Sequence, residues 1–156
     1  MWRWGAGIAF AVFACDRLTK WLVLDVWGLG TAHYAVTPFF DVRVVWNTGV
    51  SFGMLQSQSS LAPLLLSGLA LAIVVALTVW LRRAGNRVMA SGLGLVIGGA
   101  LGNTFDRLTF GAVLDFLDFH VAGYHWPAFN VADSAIVVGV VALLYDGFFH
   151  ARRDEA

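Results

Sequence analysis

Two aspartates stand where acid–base chemistry could be done. Asp115 lies in Val113-Leu114-Asp115-Phe116 and Asp133 in Phe129-Asn130-Val131-Ala132-Asp133-Ser134; Gly102-Asn103-Thr104-Phe105-Asp106-Arg107 precedes both. Each stretch falls at the end of a long apolar segment. Two carboxyls brought together cannot both ionise cheaply, so they share a proton and titrate as a pair. The ionised partner can then take a proton from water while the protonated one hydrogen-bonds a substrate carbonyl. That is amide hydrolysis without a metal, a cofactor or a covalent intermediate. Asn103, Arg107 and Asn130 are donors suited to a peptide backbone or its developing oxyanion. Asp133 has a competing reading, because it or Asn130 could cap the helix that follows. Asp115, a carboxylate inside an apolar run, has no such alternative.

The elements that would position them are membrane helices. Of the 156 residues 59% are hydrophobic and 13% charged, with mean hydropathy +0.74, beyond the roughly 45–50% apolar usage of soluble domains. Four apolar stretches, about 4–24, 61–81, 88–105 and 131–149, approach the roughly 20 residues that cross a hydrocarbon core. Arg3, Arg82, Arg83, Arg87, Arg152 and Arg153 flank one side and Asp25, Asp41 and Asp118 the other, which predicts both termini inside. The expectation is one all-α membrane domain over 1–156, with four N-in/C-in transmembrane helices. Outer loops at about 25–60 and 106–130 would form a small β-sheet region on the outer membrane surface. The first stretch lacks a small-x-small exit and is read as a retained span, not a signal peptide.

Charge excludes some partners. The formal net charge is +0 and no basic run interleaves with aromatics, so nothing recommends a nucleic acid. Cys15, the only cysteine, excludes an internal disulfide and reads as buried helix packing. No Cys/His cluster has zinc-like spacing. His120 and His125 have no carboxylate at a diagnostic spacing and read as surface residues.

Asp16 and Lys20 are four apart on one face of the first span and read as a structural ion pair. Arg17 is expected to point away and snorkel to the outer interface. Residues 39–47 alternate as a surface strand, leading into the glycine-bearing bend Asn47-Thr48-Gly49-Val50-Ser51-Phe52-Gly53. Ala122-Gly123 marks a hairpin beside Asp115. The second span is a featureless scaffold, and Gly98-Gly99-Ala100-Leu101-Gly102 permits close helix approach in the third.

In this order the motifs resemble the lipoprotein signal peptidase family, also called signal peptidase II or prolipoprotein signal peptidase, aspartic peptidases of bacterial inner membranes. The resemblance covers nearly the whole chain. It implies removal of the signal peptide just before a diacylglyceryl-modified cysteine, with Asp115 and Asp133 as the catalytic dyad. It also implies that Asn47, Gly49, Asn103, Arg107 and Asn130 shape the substrate site, with Asp16 and Lys20 in support. The partners it implies are diacylglyceryl-prolipoproteins, membrane lipid and globomycin-like inhibitors, acting on a monomer. The family usually carries Ala-Ala where this chain has Val50-Ser51, a departure that bears on fine substrate preference. Two other readings compete: a lipid-phosphate phosphatase, which would need a histidine near the Asn/Asp stretches, and a small proton-coupled carrier, which would need internal repeats.

Overall fold

In the computed structural model, which describes residues 1–30, 33–49 and 61–151, four long helices carry a four-stranded antiparallel sheet. Helix α1 (Trp2–Trp21) loosens into a wide π-type turn at Leu22–Val26. Strands β1 (His33–Thr37) and β2 (Phe40–Asn47) follow, then α2 (Ala62–Arg82) and α3 (Arg87–Phe110). Strands β3 (Val113–Val121) and β4 (Tyr124–His125) lead into α4 (Val131–Ala151). Val50-Ser51, Phe52 and Gly53 lie outside the described residues.

Helices α2, α3 and α4 are long and apolar enough to cross a membrane. Helix α1 has comparable length, at 20 residues, but carries Asp16, Arg17 and Lys20. The third helix runs further than its apolar stretch suggests, so Asp106 and Arg107, placed in an outer loop by the sequence, occupy its last turns. Hydropathy falls there before helical hydrogen bonding does. The all-α expectation is thus right for the spans, and the strand expected at 39–47 and the hairpin at Ala122-Gly123 are both present.

Helix α3 sits between α1 and α4, and its glycines make the close approach possible. A Cβ on Gly98 would lie 2.5 Å from the Ala9 carbonyl oxygen, and one on Gly99 would collide with the Ala132 carbonyl oxygen. Both clashes are with backbone, which cannot swing aside. On the same helix Gly102 faces the Asp16 carboxylate, where a Cβ would come within 2.6 Å of Oδ2.

Asn86 opens α3 by accepting from the Met89 N–H at 2.9 Å, and Gly111 ends it in the left-handed region at φ 75°. The chain enters β3 two residues later. In the β2–β3 ladder Val45 faces Asp115 and Asn47 faces Val113, so side-chain alternation puts Asn47 on the same sheet face as Asp115. Cys15, expected buried, is exposed instead, because it is one step around the helix from the inward-facing Asp16.

Candidate active site

The site is built on a buried quartet of charges. Lys20 Nζ lies 3.0 Å from Asp16 Oδ2, one helical turn earlier, and 2.6 Å from Asp106 Oδ2 on α3. Arg17 bridges the same two carboxylates and stacks over Phe105, its Cζ 4.7 Å from the ring centre. Arg17 therefore does not snorkel as expected; a buried partner on a neighbouring helix holds a guanidinium more firmly than the interface does. Two cations and two anions cancel, and each carboxylate spends its remaining capacity on backbone. Asp16 Oδ1 accepts from the Ala132 N–H at 3.1 Å, holding the first turn of α4, and Asp106 Oδ2 accepts from the Leu114 N–H at 3.2 Å, holding the start of β3.

Those two anchored segments carry Asp133 and Asp115, which meet around Asn130. The Asn130 side-chain amide donates to Asp115 Oδ1 at 2.7 Å, and its backbone N–H donates to Asp133 Oδ2 at 3.2 Å. The Asp133 N–H returns a bond to Asn130 Oδ1 at 2.9 Å, completing a reciprocal cap on α4. The capping reading of Asp133 is thus true of one carboxylate oxygen. Its other oxygen accepts from Asn103 Nδ2 at 2.7 Å. Asn103 is held in turn, its Oδ1 receiving Asn130 Nδ2 at 3.2 Å and Lys20 Nζ at 3.4 Å. An ammonium can only donate, so Asn103 must present its oxygen to Lys20 and its NH2 to Asp133.

Asn47 is fixed by the same logic. Its Oδ1 accepts from the Gly49 N–H at 2.9 Å, leaving Nδ2 to donate to Asp115 Oδ2 at 3.0 Å. Gly49 takes φ 87°, and a Cβ there would press Leu66 and come within 3.9 Å of Arg107 Nε, an atom with no hydrogen-bond partner among the described residues. Every residue expected at the site, Asn47, Gly49, Asn103, Arg107, Asn130, Asp16 and Lys20, is therefore gathered around Asp115 and Asp133.

A sequence profile described as "Signal peptidase (SPase) II" matches residues 8–149. Proteins named lipoprotein signal peptidase from Methylorubrum extorquens (strain PA1) and Nitrobacter hamburgensis are 45% and 46% identical. The alignments cover 97% and 99% of this chain and 89% and 97% of theirs. The chain belongs to the signal peptidase II family. A solved structure titled "Bacterial membrane enzyme structure by the in meso method at 2.3 A resolution" superposes with TM-score 0.75 at 30% identity, over 92% of this chain and 88% of the other.

Signal peptidase II motifs account for the residues around Asn130 but not for two features of the outer sheet. His125 Nδ1 lies 2.9 Å from Asp118 Oδ2, which also meets Arg43 Nε at 2.8 Å. His120 Nε2 lies 3.3 Å from Asp41, and the two imidazoles stack with centres 4.9 Å apart. The histidines thus have carboxylate partners that sequence spacing hid, because the Asp41–Asp118 and His120–His125 pairs are made by strand register. Alternation along β3 turns Asp118 to the face opposite Asp115. Among the described residues no three His, Cys, Asp or Glu side chains converge as a metal set.

Burial, the largest influence, pushes the Asp115 carboxyl from 3.8 up to about 6; hydrogen bonds from Asn47 and Asn130 and the Lys20 charge oppose the rise, and Asp133 adds to it. A raised carboxyl binds more protons folded than unfolded, so it costs stability as pH climbs from the unfolded to the folded value. Thermal stability of the wild type should therefore decline as pH rises from 3.8 to about 6. Asp115→Asn should flatten that part of the profile, as melting in detergent across the window would read; equal slopes would contradict it.

Loss of one quartet member leaves an uncompensated buried charge. Lys20→Met should destabilise the protein by about 3–5 kcal/mol, lowering yield and melting temperature more than turnover per folded molecule. Lys20→Met combined with Asp106→Asn should recover part of the melting temperature, since Asp16 and Arg17 then remain as a neutral pair. A Lys20→Met protein of full stability and no turnover would place Lys20 in the chemistry itself.

Proposed function

We propose that this protein removes signal peptides from diacylglyceryl-modified prolipoproteins, cleaving before the lipid-bearing cysteine by aspartic chemistry at Asp115 and Asp133. The observation that carries the reading is Asn130, whose side chain donates to Asp115 and whose backbone donates to Asp133, so the two carboxyls are held about one residue. Membership of the signal peptidase II family supplies the substrate class. In this reading the pair activates a water against the scissile carbonyl, and the Arg107 guanidinium, with its Nε unpartnered among the described residues, faces the substrate backbone beside Gly49. No metal or cofactor takes part.

The membrane arrangement belongs to the same proposal. Helix α1 becomes the fourth span because its ionic side chains are neutralised within the bundle, and a 20-residue helix is about 30 Å long. The single domain then lies N-in/C-in in the bacterial inner membrane as a monomer, with the site on the outer face. The substrate's acyl chains can stay in lipid there while its peptide bond meets water. With both outer-sheet histidines engaged by carboxylates, the phosphatase reading lacks a free histidine nucleophile among the described residues.

A gel-shift assay on a diacylated prolipoprotein tests the reaction. Asp115→Asn and Asp133→Asn should each lower turnover by roughly 10³-fold or more while leaving the protein folded. Retention of more than about a tenth of wild-type activity, far above that loss, would remove that aspartate from the chemistry.

Chelation provides an independent check. EDTA should leave cleavage intact, and activity should follow a bell-shaped pH profile whose limbs belong to the coupled pair. Globomycin-like peptides should bind with sharply lower affinity to Asp115→Ala and Asp133→Ala. Activity abolished by EDTA and restored by zinc would replace the aspartic mechanism with a metal-centred one.

A further inference from the structure

The two carboxyls sit in unlike surroundings. Asp133 lies in the first turn of α4, is half-buried, and accepts from a backbone N–H at the positive end of that helix. A helix N-terminus favours a negative charge placed there. Asp115 lies mid-strand, 2% exposed, between Leu114 and Phe116, which are themselves buried in the apolar cluster with Val23 and Val42. Hydrogen bonds do not separate the pair, since each carboxyl accepts two from fixed donors. Helix end and burial do. Of the carboxylates acting on Arg107, Asp133 acts most strongly, ahead of Asp115 and Asp106. The other nearby charges, Asp16, Arg17 and Lys20 on α1 and Asp106 on α3, cancel among themselves.

We infer that the pair is asymmetric at rest, with Asp133 ionised as the standing base and Asp115 holding the proton as the standing acid. The assignment rests on the peptidase reading for its chemistry but not for its test. Water loses a proton to Asp133 as its oxygen bonds to the scissile carbon, and the carbonyl oxygen takes the proton of Asp115. The resulting gem-diol collapses when Asp133 passes its proton to the amide nitrogen and the carbon–nitrogen bond breaks. Asp115 recovers a proton from a gem-diol hydroxyl as the carbonyl reforms. The products are a carboxylic acid and a free amine, and the resting protonation is restored. The raised titration of Asp115, to about 6, agrees with this division.

Infrared titration of the purified, substrate-free protein reads the proton directly through the carbonyl stretch of a protonated carboxyl. In the wild type a band should titrate with a midpoint near 6. Asp115→Asn should abolish it. Asp133→Asn should keep it and move the midpoint to lower pH, because the neighbouring charge that raised it is gone. A band lost in Asp133→Asn and kept in Asp115→Asn, or treated alike by both, overturns the assignment. Should a variant fold poorly, wild-type protein carrying carboxyl-labelled aspartate gives the same answer by magnetic resonance. The Asp115 signal should move between about pH 4 and 7, around its titration, and the Asp133 signal should stay; the reverse overturns the inference. Because neither measurement uses substrate, an inactive protein with this titration would fail the peptidase reading alone.

Discussion

Everything at the site depends on the neutrality of four charges buried among apolar helices. Asp16 and Asp106 are fully buried and Lys20 nearly so, an arrangement that costs several kcal/mol per ion unless each finds its partners. Each does, and the surplus lone pairs of the two carboxylates are given to the backbone of α4 and β3. The consequence is geometric. A helix and a strand that share no sequence neighbourhood are pinned to the same pair of side chains, and the residues a step beyond each pin are Asp115 and Asp133. A weaker anchor, such as apolar packing alone, would leave the start of β3 free to slide along α3.

The glycines of α3 make that anchoring possible. With carbonyl oxygens of α1 and α4 at the distance a Cβ would occupy, the three helices approach closely enough for one lysine to reach two helices at once. Gly102 matters most directly, since any side chain there would displace the Asp16 carboxylate. Close packing on α3 and the ionic quartet are therefore a single device. In a bilayer, where apolar contact between helices gains nothing over contact with lipid, small residues and polar pairs are the available means of association.

What could be read from the sequence follows the range of the interactions. The i,i+4 spacing of Asp16 and Lys20, the alternation at 39–47 and the apolar spans are local patterns, and all recur in the structure. The gathering of Asn47, Asn103 and Asn130 was legible only through the order of the motifs. The interactions that stayed hidden are those made by tertiary contact alone. Arg17 gives no sign that Asp106, 89 positions away, will claim it. His120 and His125 acquire carboxylates through strand register, which a bulge between Val42 and Val45 shifts beyond what simple alternation would suggest. Cys15 was misplaced because an apolar span has no polar face to mark its outward side.

The dyad is held by neutral amides where charged groups would have been stronger, and this choice suits a pair that must change protonation. A cation bonded directly to either carboxyl would favour its ionised form and resist the return of the proton. Lys20 instead acts through Asn103, which takes the ammonium on its oxygen and offers an N–H to Asp133. The charge thereby sets the polarity of the amide without touching either carboxyl. Asn130 and Asn47 do the same with backbone partners, each spending its oxygen on an N–H and its NH2 on Asp115. Fixed orientation with little fixed charge leaves the proton free to move between the two aspartates while the geometry stays put.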